Sequence, residues 1–213
     1  TANSAASGQI QPESLFDADY QAVLDYATTQ GYTLPSAGQQ IIQNQLVVEL
    51  KSAGVWSKLD AFGVRAVDGD RNFALIDWKR LITTTEVNSP TFTTNIGFTG
   101  DGATSYIDNL FNPLINGSNY TLNNASIGTY LQSDGGSGFS GFAGIFGQID
   151  TLSTPDISAF ISTFNTTKIG RINTDNSGVS ISSFDNNFYL LNRNNASTVS
   201  MYTDGGLLQT VTS

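Results

Sequence analysis

Residues 188–211 read FYLLNRNNASTVSMYTDGGLLQTV, and this stretch decides the fold class. Phe188–Arg193, Val199–Tyr202 and Leu207–Val211 are short runs rich in aromatic and aliphatic residues, bounded by Asn, Asp, Gly and Ser, as strands are. Between the last two, Thr203–Asp204–Gly205–Gly206–Leu207 reads as a hairpin turn. Working back from there, the same grammar extends to about Gly63. The spacing predicts strands at Phe73–Ile76, Thr91–Thr94, Tyr106–Asp108, Ser126–Leu131, Gly144–Ile149, Ala159–Phe164 and Lys168–Ile172. Turn residues separate them at the spacing expected of sandwiches and jelly rolls. No solenoid-type internal repeat is present.

Upstream the period changes. Asp17 to Thr29 places Tyr20, Val23, Leu24 and Ala27 on one helical stripe, with Gly31 as its stop. Ser36 caps a second helix running to about Ala53, with Ile41, Ile42, Leu46, Val47 and Leu50 as its expected apolar face and Gly54 as its end. That face is most simply packed on its partner helix or the sandwich; it is too short for a strong coiled-coil stem. Val55 to Phe62 adds a short turn carrying Trp56, Leu59 and Phe62. The chain therefore divides into an N-terminal arm or linker at 1–16, a helical lead-in at 17–62, and a β-sandwich at 63–213.

Composition narrows the function. Hydrophobic residues make up 39% of the 213, which is enough for a core. Charged residues are only 13%, so the polar surface must come from Asn, Thr, Ser and Gln. Net charge is −9, with nine scattered basic residues, which argues against nucleic-acid partners and anionic membrane surfaces. No apolar run has the length of a membrane span. There is no Cys and no His, which removes disulfides, thiolate metal sites and the commonest general base.

A resemblance adds to this reading. The run Val55–Trp56–Ser57–Lys58–Leu59–Asp60–Ala61–Phe62 follows a helix pair. After it come Asp68–Gly69–Asp70, Phe73–Ala74–Leu75–Ile76–Asp77–Trp78–Lys79 and Val87–Asn88–Ser89–Pro90–Thr91–Phe92–Thr93–Thr94–Asn95. Then follow Gly97–Phe98–Thr99–Gly100–Asp101–Gly102, Ser105–Tyr106–Ile107–Asp108, Phe111–Asn112–Pro113 and Tyr120–Thr121–Leu122–Asn123–Asn124–Ala125–Ser126. Over roughly residues 40 to 213 this resembles bacteriophage virion structural proteins of Bacteroidetes-type hosts. In these a helix pair ending in a W-x-K-x-x-A-F/Y turn precedes a concanavalin-like or laminin-G-like jelly roll. The resemblance implies a virion location, neighbouring virion proteins as partners, a homo-oligomer, and no catalytic signature. In such sandwiches further strands usually follow one like Ser200–Met201–Tyr202. The expectation is that a neighbour supplies them or the polypeptide continues, and that the sheet edge is covered in an assembly. The Thr1 start likewise suggests a processed or excerpted chain.

Candidate sites are few. Asp68, Asp70 and Asn72 place oxygens at alternate positions, as calcium loops do, although an Asp-Gly turn alone explains them. Asp101–Gly102 with Asp108 is a second acidic turn of the same kind. Glycoside hydrolysis needs two flanking carboxylates, yet Glu13, Glu49 and Glu86 stand apart. Ser57–Lys58 are adjacent on a helix and do not face each other. The glycine-rich stretch 135–144 lacks the Lys of a phosphate loop. The chain is thus read as no enzyme. Sugar sites pair aromatic platforms with Asn and Asp, and Trp78, Tyr106, Tyr130 and Tyr202, beside Phe139 and Tyr189, supply the aromatics. For any one of them the simpler reading is a core position. A lectin-like module holding host-surface polysaccharide is the alternative to a purely structural role. The Asn-x-Ser/Thr sequons, such as Asn116–Gly117–Ser118 and Asn195–Ala196–Ser197, are expected by chance in so Asn-rich a chain.

Overall fold

A computed structural model describes residues 15–132, 142–148, 159–164, 167–173, 178–181 and 186–212. The glycine-rich stretch up to 141, Phe139 and the arm at 1–14 lie outside these residues.

Two helices open the described chain. Helix α1 (Ala18–Thr29) is capped by the Asp17 carboxylate, which accepts from the Asp19 amide at 2.9 Å. It buries Tyr20, Val23, Leu24 and Ala27, the stripe read from the sequence. Helix α2 (Ala37–Ser52) is capped by Ser36. Both end in the same way. Gly31 and Gly54 take positive φ of 75° and 67°, and the next residue's amide reaches back to Ala27 and Leu50 respectively, which closes the open carbonyls.

The expected apolar face of α2 is corrected in part: Val47 is buried in the first core and Leu50 packs against it, but the two isoleucines face outward. Ile41 is 63% and Ile42 70% exposed, and the residues buried on α2 are Gln43 and Val47. The reason is polar. The buried Tyr20 hydroxyl needs an acceptor and finds Gln43 Oε1 at 2.8 Å. The Asn44 side chain accepts from the Asp17 amide at 2.7 Å, and Gln39 accepts from the Asp68 amide at 2.8 Å. Amide side chains set the helix rotation, leaving Ile41 and Ile42 outside.

A 3₁₀ turn at Trp56–Lys58 follows, then a short helix α3 (Arg71–Ala74) capped by Asp70. The expected strand Phe73–Ile76 is thus corrected to a helical turn leading into β1 (Ile76–Asp77), which pairs with β2 (Ile82–Thr83). Residues 73–78 are all buried, so alternation had no exposed side to reveal. Two more ribbons complete this half. One joins β3 (Thr85–Val87) to β6 (Tyr106–Asp108), and the other joins β4 (Thr91–Thr93) to β5 (Gly97–Thr99). A four-residue helix, α4 (Pro113–Asn116), leads out.

The C-terminal half is a two-sheet sandwich. Strands β8 (Phe142–Gln148), β9 (Ala159–Phe164), β10 (Thr167–Ile172) and β11 (Val179–Ile181) pair antiparallel in sequence order. The second sheet runs β14 (Gly206–Thr212), β13 (Thr198–Thr203), β12 (Asn187–Arg193), β7 (Ala125–Leu131), also antiparallel. The protein is therefore mainly β, with antiparallel sheets and a helical lead-in. Strands β8–β11 and β12–β14 are each meanders, and β7 joins the second by pairing with β12 across the β8–β11 excursion. The sheets pack through Ile172 and Val179 of one and Ala125, Tyr189, Leu191, Val199 and Met201 of the other. Close approach depends on Gly170. A Cβ there would lie 2.6 Å from the Met201 methyl and 2.8 Å from a Leu191 methyl.

Among the described residues two core clusters are present, and the first runs past the expected boundary at 62/63. The first gathers Tyr20, Val23, Val47, Trp56, Val67, Phe73, Ile76 and Trp78, with Phe92 and Phe98 packed against it. Residues 63–99 thus belong with the helices, and the sandwich core begins near Tyr120. Aromatic contacts chain the first core together: Phe16–Tyr20, Tyr20–Trp78, Trp78–Phe62 and Phe62–Trp56 have ring centroids 5.4–5.7 Å apart.

Candidate functional site

Among the described residues, the outer face of the second sheet carries a candidate binding surface. Along β12, Tyr189, Leu191 and Arg193 point inward, so Phe188, Leu190 and Asn192 point outward. The register aligns Tyr130 with Phe188, Gly128 with Leu190, and Ser126 with Asn192 on β7. On the other side Leu190 faces Tyr202, Asn192 faces Ser200, and Ser200 faces Thr210. Two kinds of row result. Ser126, Asn192, Ser200 and Thr210 form a polar row, tied by Ser126 Oγ donating to Asn192 Oδ1 at 2.7 Å and a Ser200–Thr210 hydroxyl contact of 2.8 Å. Beside it lie Tyr130, Phe188, Leu190, Tyr202 and Leu207, of which Tyr130 is 57% exposed and Phe188 42%.

Gly128 lets Phe188 lie against the sheet, since a Cβ at 128 would come within 2.6 Å of the Phe188 ring. Phe188, Leu190, Asn192, Tyr202, Asp204 and Gly205 then enclose a depression of about 330 Å³. Its end is held by the hairpin turn, where Asp204 and Gly205 take φ of 45° and 81°. These paired positive angles are what the Asp-Gly dipeptide supplies. The Asp204 amide donates to the Phe188 carbonyl at 3.2 Å, and the Phe188 amide returns a bond to Asp204 Oδ1 at 3.2 Å.

Of the four aromatics proposed from sequence, Tyr130 and Tyr202 share this face, and Tyr202 lines the depression. Tyr106 is exposed but stands on the separate β3–β6 ribbon. Trp78 is corrected: it is 2% exposed, locked between Tyr20 and Phe62, and offers no platform. Tyr189 likewise points into the sandwich core. Phe188, Leu190, Asn192 and Asp204 were missed. The alternation of β12 places the first three on one face, but the turn joins them only through the register.

The acidic turns have structural employment. Asp70 accepts from the Phe73 amide at 2.8 Å and the Thr33 amide at 2.9 Å, and Asp68 accepts from the Ser36 amide at 3.0 Å. These bonds moor the loop between the helices to the cap of α3, while Asn72 is exposed. Asp101 accepts the amides of Ala103, Thr104 and Ser105 at 2.8–2.9 Å. Those backbone bonds hold its carboxyl well below the usual carboxylate range. Asp108 accepts from the Leu110 amide. Among the described residues no group of three or more carboxylates, His or Cys is placed to hold a metal ion.

The two cores meet at a carboxylate. Asp60, from the loop after the 3₁₀ turn, accepts the Asn119 amide at 2.9 Å, the Asn119 side chain at 2.8 Å and the Tyr120 amide at 2.9 Å. The Tyr120 hydroxyl donates to Asn173 Oδ1 at 2.8 Å, and the Asn173 amide reaches the Thr121 and Leu122 carbonyls. Burial pushes the Tyr120 hydroxyl up to about 12, so it stays a donor through the neutral range. For Asp60 burial raises the pKa, but the backbone bonds from Tyr120 and Asn119 outweigh it and the net shift is downward. A depressed folded pKa stabilises above the unfolded value of about 3.9 and stops doing so as pH falls through the folded value. The stability advantage of the wild type over Asp60→Asn is therefore expected to be constant above pH ~5 and to shrink below pH ~4. Thermal melts at stepped pH measure it, and a gap independent of pH would remove Asp60 from this role.

Comparisons with protein-family models, with curated proteins and with solved structures find no match to this chain. Among the described residues no helix is long and apolar enough to cross a membrane.

Proposed function

We propose that this chain is a non-enzymatic structural protein of a virus particle, a capsid-decorating, spike, tail or fibre component that assembles with copies of itself and with other virion proteins. One observation carries the assembly reading: among the described residues no strand pairs with the outer edge of the second sheet. Strand β14, GLLQTVT, lies at the end of its sheet and contains no charge and no proline. Soluble proteins blunt such edges with Lys, Pro or a covering segment, because unpaired N–H and C=O groups recruit another strand. In a chain of net charge −9, an uncharged edge is also where two copies meet with least repulsion.

The charge-poor surface rich in Asn, Ser and Thr supports a virion setting, where interfaces must hold across salt conditions. The basic residues support the absence of a nucleic-acid partner. Lys51, Arg71 and Arg80 are in ion pairs, and Arg65 and Arg193 hold backbone carbonyls. The concanavalin-like jelly-roll identity belongs to the same proposal. Two packed four-stranded antiparallel sheets support it, one a simple meander and the other a three-strand meander extended by β7.

Light scattering tests the assembly claim. The wild type should give a mass that is a multiple of 22.7 kDa, and Thr210→Lys on the edge strand should shift it towards the monomer. A wild type that stays monomeric at high concentration contradicts it.

The exposed aromatic face favours a second reading, that of a receptor-binding module holding host-surface polysaccharide. Both roles fit one protein, because edge and face are different surfaces of the same sheet.

A further inference from the structure

We infer that the depression on the outer face of β12 and β13 is a binding site for a neutral sugar ring. The inference rests on the receptor-binding reading and gives it a place and a ligand class. The floor and one wall are Leu190, Phe188 and Tyr202. Aromatic rings carry a negative face that attracts the C–H edges of a pyranose, which present a partial positive charge. The volume of about 330 Å³ lies at the small end of ligand sites, which run from about 300 to 1,000 Å³, and suits one or two rings.

Polar groups stand at the rim with capacity left over. Asn192 Oδ1 accepts from Ser126, but among the described residues its amide nitrogen, with two donors, takes no protein acceptor. The Asp204 carboxylate accepts the Phe188 amide on one oxygen. Asn187, with its amide turned to satisfy its neighbours, donates to the other at 2.8 Å. A carboxylate has about four lone-pair sites, so roughly two remain for sugar hydroxyls. These bonds also fix Asp204 before any ligand arrives, which spares the cost of ordering it on binding.

Charge selects the class. The lining contains one carboxylate and no Lys or Arg. Sialic acids, uronic acids and sulfated sugars would bring a second anion to Asp204 with no cation to offset it. A neutral hexose or N-acetylhexosamine meets no such repulsion. Tyr106 is exposed but stands on the separate β3–β6 ribbon, which makes it an internal control.

The test is NMR titration of the full chain with D-glucose, D-galactose, N-acetylglucosamine, glucuronic acid and N-acetylneuraminic acid, alongside a pull-down on host polysaccharide. The expected result is that a neutral sugar shifts the Asp204 and Gly205 amides. Tyr202→Ala and Asn192→Ala should each weaken that binding by about tenfold, while Tyr106→Ala leaves it unchanged. The Met201 methyl signal reports in each variant whether the sandwich is intact. Neutral-sugar binding that survives Tyr202→Ala, or binding of the acidic sugars alone, overturns the assigned site while the receptor reading stands. Retention on polysaccharide with every single sugar silent does the same. No binding in either assay overturns both.

Discussion

Leu191→Ala is expected to destabilise the sandwich by about 2–5 kcal/mol, the range for truncating a fully buried leucine, and to leave the N-terminal core folded. Leu191 has no exposed surface, faces Gly170 across the sheets and pairs with Met201 on the neighbouring strand of its own sheet. Removing its methyls opens a cavity at the point of closest sheet approach. The chain supplies its own reporters. Both tryptophans, Trp56 and Trp78, lie in the first core, and the single methionine, Met201, lies in the second. In a denaturant titration of the variant, the Met201 methyl signal should collapse at lower concentration than the tryptophan emission shifts. Coincident transitions displaced together would show one cooperative unit and contradict the division into two cores.

Phe73→Ala reverses the order. Phe73 is fully buried among the helices and ribbons, and truncating a buried Phe costs about 3–5 kcal/mol. Its backbone amide is the donor that Asp70 accepts as the α3 cap, so the cap survives and the loss is one of packing. Tryptophan emission should then shift to the red before the Met201 signal is lost. A Phe73→Ala protein whose sandwich melts first would mean that the sandwich draws its stability from the helical half through Asp60 and Tyr120.

Much of this organisation was legible because it leaves local signatures. The long strands of the second sheet were legible as aromatic and aliphatic runs bounded by Asn, Asp, Gly and Ser, although Phe188 to Leu191 are all apolar and do not show which face is buried. The ends of both helices were legible because Gly31 and Gly54 take backbone angles that side chains disfavour. Strands of two or three residues, such as Ile82–Thr83, Gly97–Thr99 and Val179–Ile181, are too short to show a period. Residues 73–78 show none because every side is buried. The face of α2 was legible at Val47 and Leu50 but not at Ile41 and Ile42, because a buried tyrosine hydroxyl chose Gln43 over Ile42.

The candidate site was half legible. Tyr130 and Tyr202 stand out as aromatics among Asn and Asp, but what groups them with Phe188 and Asp204 is cross-strand register. Register here pairs β7 with β12, which are more than fifty residues apart, and no local pattern encodes it. Trp78 was misplaced for the converse reason: its neighbours Tyr20 and Phe62 come from elsewhere in the chain.

The central claim is that this chain is built into a virus particle. Quantitative peptide mass spectrometry of gradient-purified particles, from the culture that expresses the gene, tests it most directly. The account predicts the chain at a fixed, multiple copy number per particle, retained through high-salt washing because its interfaces use few charges. Finding it only in the free soluble fraction, and absent from washed particles, would contradict the account.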